Sequence, residues 1–169
     1  MRTRLAALAV LSTALASATV AKAADDAVDG AAALVGTWIA NLEKSQRHEN
    51  HQFQNATMTF ALDGEAITMT HGGVNAAGEK ESGSVVFRAD GTEHVVSEAT
   101  PDVLVMVRWA GPRRLEISAR KGETKVAGQS FEVSADGKTL TTSVWGTDAS
   151  GRRFDQVIVF DRKMPDARP

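Results

Sequence analysis

Past a short lead over Ala24 to Ala33, apolar side chains recur at every second position, and glycine-containing turns separate the runs at intervals of about 8–12 residues. Ala56, Met58, Phe60 and Leu62 alternate with Asn55, Thr57 and Thr59; Asp63-Gly64 offers a tight turn; Ile67, Met69 and His71 then resume the alternation. That pattern predicts a hairpin. Val85, Phe87 and Ala89 lead to Asp90-Gly91 and a further run over Glu93 to Ser97, a second predicted hairpin. Runs around Val103–Trp109, Leu115–Ala119, Thr124–Val133, Leu140–Val144 and Phe154–Phe160 bring the count to about ten. The one helical expectation is a short Ala-rich turn within Asp25 to Val35, placed to cap one end. Consecutive hairpins without long crossovers predict an all-β, antiparallel up-and-down barrel of about 8–10 strands, since closure removes exposed edges. An open sandwich is the alternative.

The first residues change the picture of where this barrel works. Arg2 and Arg4 precede an apolar stretch from Leu5 to Val20, and Ala21-Lys22-Ala23 follows with small residues at the positions a signal peptidase reads. The expectation is a signal peptide over 1–23, a lead segment or short capping helix over 24–33, the barrel over 34–163 and a frayed tail over 164–169. Cleavage after Ala18 is the alternative. The product would be periplasmic or secreted. It has no Cys for a lipid anchor or a disulfide, so its core must hold it together. Three of the 19 basic residues leave with the signal, and the remaining 16 against 21 acidic residues give a net charge of −5. An acidic product argues against nucleic acid as a partner. No later run approaches the roughly 20 apolar residues of a membrane helix, so no insertion is expected after cleavage.

Gly36-Thr37-Trp38 resembles the first-strand signature of lipocalins. Taken with Asn41, Lys44-Ser45, the stretch Ser134 to Leu140, Gly146-Thr147-Asp148, Gly151-Arg152 and Val157 to Asp161, the chain resembles a family of small exported bacterial lipocalin-like (calycin-type) barrels of unassigned function. The resemblance runs from about Leu34 to Lys163. It implies that Gly36 permits a tight entry, that Trp38 plugs the barrel floor, and that a basic side chain, Arg162 or Arg153, packs over the Trp. It implies no reaction. The chain departs from the family pattern at Gln46-Arg47-His48-Glu49-Asn50-His51.

Which strand face points inward is open at this stage, because a one-residue shift inverts the assignment. With the larger apolar set inside, Met58, Phe60, Met69, Phe87, Trp109, Phe131 and Phe154 fill the lumen or line a pocket for a small hydrophobic molecule. With the other face inside, Thr57, Thr59, Thr68, Thr70, Gln129, Thr139, Thr141, Ser143, Arg114 and Glu116 make it polar. Three functions follow: a non-enzymatic binder of an apolar or amphipathic ligand, a filled-core barrel acting through its surface as an inhibitor or envelope interaction protein, and a catalytic barrel of cyclase, isomerase or esterase type using Glu116 with a nearby His.

Other chemistry has less support. His48 and His51 flank Glu49 and are weak metal or haem candidates, with His71 and His94 elsewhere. Their spacing is not that of a zinc helix motif, so neither a metal nor a cofactor is expected. No Gly-x-Ser-x-Gly elbow or thiol supports a catalytic assignment. Gly72 to Gly78 lacks the Lys-Ser/Thr of a phosphate loop and predicts a hairpin loop. Arg108, Arg113 and Arg114 beside Trp109 read as a solvated hairpin end.

Overall fold

The computed structural model describes residues 30–49, 51–95, 101–147 and 151–164. The predicted signal peptide, residues 24–29 of the lead and the tail beyond Met164 lie outside the described residues. The alternation becomes ten strands: β1 (Gly36–Gln46), β2 (Phe53–Asp63), β3 (Ala66–Asn75), β4 (Lys80–Arg88), β5 (Asp90–Val95), β6 (Val103–Gly111), β7 (Arg114–Lys121), β8 (Thr124–Val133), β9 (Thr139–Thr147) and β10 (Arg153–Arg162). All pairings are antiparallel, in the order β4-β3-β2-β1-β10-β9-β8-β7-β6-β5. The sheet curls into a nearly closed up-and-down barrel, with a helical turn at residues 30–34.

Closure is incomplete between β4 and β5, which form the two edges of the sheet. The Asp90-Gly91 hairpin is therefore not formed. Asp90 Oδ1 instead accepts hydrogen bonds from Thr92 N (2.8 Å) and Thr92 Oγ1 (2.7 Å), and Gly91 takes φ of +72°. This side-chain-stabilised turn sends the chain away from β4 and into pairing with β6. Gly72 and Gly73 likewise lie inside β3 rather than in a loop. A Cβ on Gly73 would collide with the backbone of Asn55, where β2 carries an irregularity. The turn falls later, where Asn75 Oδ1 accepts from Ala77 N and Glu79 N, both at 3.0 Å.

Register decides the faces. Opposite residues of a pair share a face, so Trp38, Met58 and His71 lie together, as do Leu115, Phe131 and Thr142. The larger apolar set faces inward. Thr57, Thr59, Thr68, Thr70, Thr139, Thr141 and Ser143 are on the outer face, and among the polar candidates Gln129 alone is turned in, opposite Ile117. Glu116 also faces out, held by Arg108 (2.6 Å) and Arg114 (3.0 Å), with Arg114 reaching on to Glu132. Glu116 therefore lies outside the lumen in which a catalytic role was considered for it.

Burial is uneven along the barrel axis. Leu34, Trp38, Phe60, Ile67, Leu115, Phe131, Leu140 and Phe160 are buried and form one cluster toward the end carrying the helical turn. Phe60 and Phe131 meet edge to face at 5.3 Å, a favourable arrangement for ring quadrupoles. Nearer the other end the inward side chains of Met58, Ile117, Val144 and Phe154 are only half-buried, and His71 is exposed. One half of the lumen is packed shut and the other is hollow.

Candidate functional site

The floor of the hollow begins with the first-strand motif. Trp38 is fully buried and donates its Nε1–H to Leu34 O at 3.0 Å, tying the strand to the helical turn. The Arg162 guanidinium lies 4.0 Å above the Trp38 ring, close enough for a cation–π contact. It donates to Gly137 O (2.6 Å), Val35 O (2.7 Å) and Ala33 O (2.5 Å), so one side chain of β10 gathers the segment leading into β1 and the β8–β9 turn. Burial draws the Arg162 pKa down from its ordinary value. Arg153, at the opposite end of the same strand, lies instead over Trp145, with 5.6 Å between guanidinium and ring centroid.

Two further parts of the resemblance acquire a structural meaning. Between Asn41 and Gln46, β1 bulges away from β10, which would leave ladder groups unpaired. Ser45 Oγ accepts the Val159 N–H at 3.0 Å and donates to Asn41 O at 2.6 Å, while Asn41 Nδ2 and Lys44 Nζ both hold Asp161. Asn41 and then Lys44 hold the Asp161 carboxyl below its ordinary pKa. In the β8–β9 turn, Ser134 Oγ donates to Asp136 Oδ1 (2.6 Å) and accepts from Thr139 N (3.0 Å), with Gly137 at φ +69°.

Above the floor lies a cavity of about 420 Å³, lined by Phe53, Ala56, Met58, His71, Gly73 and Gln156, with His51 and Glu81 at its mouth. A second, of about 410 Å³, is lined by Ile117, Ala119, Ala127, Gln129, Val144 and Phe154. It opens where β8 and β9 part, beyond their Gly128–Trp145 pair. Both volumes fall within the roughly 300–1,000 Å³ of small-molecule sites. Polar side chains interleave with the apolar ones, His71, Asn75 and Gln156 in the first cavity and Gln129 in the second. Gln129 and Gln156 both face inward across from Val144, and Gln156 Oε1 is buried without a hydrogen-bond partner.

The sequence-derived pocket residues separate by depth. Met58 lines the larger cavity. Phe60 and Phe131 lie in the packed layer beneath, and Met69 and Phe87 pack half-buried against it. Trp109 stands at the closed end, where a Cβ on Gly30 would come within 2.8 Å of its ring. His48 and His51 are brought together at the mouth: their rings are 5.6 Å apart, and both contact Phe154, at 5.8 Å and 4.7 Å. His94 is elsewhere, beside Asp90 at 3.6 Å. Among the described residues no three His, Asp or Glu side chains are grouped to hold a metal ion. Sequence reasoning passed over Gln156, although it interrupts the alternation Phe154, Ile158, Phe160 on an otherwise apolar face.

The same fold occurs among solved structures. A fatty acid binding protein of Schistosoma mansoni in complex with arachidonic acid is similar to this chain with a TM-score of 0.54 at 18% identity, covering 80% of this chain and 99% of that one. Rv2717c from M. tuberculosis is similar with a TM-score of 0.51 at 18% identity, covering 82% and 98%. These likenesses are of fold, an antiparallel up-and-down β-barrel. No protein-family model matches the chain, and no curated protein sequence does.

Proposed function

We propose that this barrel binds one small apolar or amphipathic molecule in the open half of its lumen. The observation that carries the reading is the division of the interior: a packed floor at Trp38, Phe60 and Phe131, and above it an open cavity of about 420 Å³ whose wall mixes apolar side chains, Phe53, Ala56, Met58 and Phe160, with polar ones such as His71, Asn75 and Gln156. Protein interiors ordinarily pack without voids of this size, and the apolar part of a wall open to solvent gains hydrophobic free energy when an apolar ligand covers it. The S. mansoni barrel, whose structure contains arachidonic acid, supports the use of such a lumen for a small ligand. The filled-core reading suits the lower half only. With Glu116 on the outer face, the reading is of a binder rather than an enzyme.

The pattern of residues 1–23 supports export from a bacterial cell, with the mature protein acting in the periplasm or outside. Its ligand would then be one met in that compartment.

The test is titration with Nile red, a neutral dye that fluoresces in apolar surroundings. Saturable one-site binding is expected, with a rise in melting temperature as dye is added, because a ligand selective for the folded form stabilises it. Ala56→Trp should fill the cavity and abolish the signal while the protein stays folded. Absence of saturable binding, or binding indifferent to Ala56→Trp, would overturn the reading.

A further inference from the structure

We infer a second binding site, on the outer wall of the barrel, for a neutral pyranose ring of a glycan. It stands apart from the lumen site and does not depend on it. The register lays two rows of outward side chains side by side: Ser118, Gly128, Trp145 and Asp155 in one, Glu116, Ser130, Ser143 and Val157 in the other. The β7, β8 and β9 members of both rows, with Arg114 and Lys125, line a pocket of about 240 Å³.

Trp145 supplies the aromatic side. Its indole lies across β8 in space that only a glycine leaves, since a Cβ on Gly128 would stand 2.5 Å from Nε1. The strand thus sets the position of the ring, which is half-buried. Arg153 approaches it from an exposed position at 5.6 Å, toward the far end of the cation–π range. A guanidinium held so loosely can move aside for a stacked ring or donate to its hydroxyls.

The other side carries hydrogen-bonding capacity that the fold leaves unused. Among the described residues, neither the hydroxyls of Ser118, Ser130 and Ser143 nor the Trp145 Nε1–H makes a hydrogen bond to the protein. Ser130 is only 8% exposed, yet its Oγ is not shut away from the surface. Polar groups in such places are nearly always paired, so these call for partners from outside the chain. Beside them, Glu116 is held by Arg108 at 2.6 Å and Arg114 at 3.0 Å, and Arg114 spends Nε and Nη1 on its two carboxylates, leaving Nη2 to donate.

A pyranose matches both sides. The C–H bonds of one ring face pack on the negative face of an indole, while the edge hydroxyls each donate and accept, as serines, a carboxylate and a guanidinium require. A bare acyl chain would strand these polar groups. Because the pocket opens on the outer wall, a glycan can continue beyond the bound ring.

The experiment is an NMR titration of ¹⁵N-labelled protein with cellopentaose, maltopentaose, mannopentaose and chitopentaose, to about 5 mM, which registers a Kd near about 1 mM. The readout is the indole N–H signals of the three Trp residues, Trp145 being assigned by the loss of its signal in Trp145→Phe. At least one glycan should shift the Trp145 signal saturably and leave that of Trp38 in place. Affinity for that glycan should fall at least about tenfold in Trp145→Ala and, separately, in Glu116→Gln, with Nile red binding unchanged. No shift at Trp145 with any of the four would overturn the inference, as would a shift with adenosine alone, the mark of a base-stacking surface. Glycan binding undiminished in both variants would also overturn it. The wild-type spectra decide the matter should a variant not fold, and none of these outcomes touches the lumen site.

Discussion

Arg162 fills the space that a side chain on Gly36 would need: a Cβ on Gly36 would stand 2.8 Å from Arg162 Nη1, and Gly36 holds φ at +128°. Two costs therefore coincide in Gly36→Ala, a backbone conformation that L-residues rarely adopt and a displaced guanidinium. A loss of about 1–3 kcal/mol is expected, which lowers the melting temperature of a domain this size by roughly 2–4 °C per kcal/mol. Gly64→Ala separates the two costs, because Gly64 has φ of +58° but nothing within 4 Å of its would-be Cβ. Thermal melts should show the Gly36 variant to be the less stable.

Arg162→Ala should be more damaging still. It strips the donor from three part-buried carbonyls and the cation from Trp38, and a loss of about 1–3 kcal/mol is the cost of even one such acceptor left fully unsatisfied. Arg162→Lys should recover only part of the loss in urea unfolding, since an ammonium cannot reproduce the planar fork. Full recovery by Lys would show that charge alone matters there.

Ser45→Ala tests the bulge in β1. Without the hydroxyl, the Val159 N–H loses its acceptor at a part-buried position, and a loss of about 1–2 kcal/mol is expected in equilibrium denaturation. Ser45→Thr keeps the oxygen and should be milder.

Asp161 should contribute to acid sensitivity. Folding holds its carboxyl below the unfolded value, so its stabilisation is present above the unfolded pKa, about 3.9 for a free Asp, and is lost as pH falls through the lower folded one. Asp161→Asn should therefore lower stability at pH 7 and flatten the decline in melting temperature below about pH 4. A decline as steep as that of the wild type would assign acid sensitivity to other carboxylates.

The fold was legible because alternation is a direct image of a two-faced strand: Phe60, Phe131 and Ile158 each belong to a run that has one apolar face. The choice between Arg162 and Arg153 stayed open in the sequence and is made by the register, in which Arg162 lies opposite Trp38 and shares a face with Ile158 and Phe160. The β4–β5 gap was not legible either. Asp90-Gly91 has the composition of a hairpin turn, and only the Asp90–Thr92 hydrogen bonds show the chain leaving β4. The candidate site was less visible than the fold because a cavity is a property of depth. Met58 and Phe60 are two residues apart and chemically alike, yet Met58 borders the hollow and Phe60 lies in its floor. Nothing local distinguishes them. Gln156 could have been noticed as a polar break in an apolar face, but its unpaired oxygen depends on side chains from several strands.

The unjoined edges of β4 and β5 make the wall a rolled sheet with a seam rather than a welded hoop. Its girth can therefore change by slippage along that seam, with the hydrogen bonds of the other ladders kept. A guest somewhat wider than the resting cavity would be admitted by uncurling the sheet, while the riveted base around Trp38 keeps its shape.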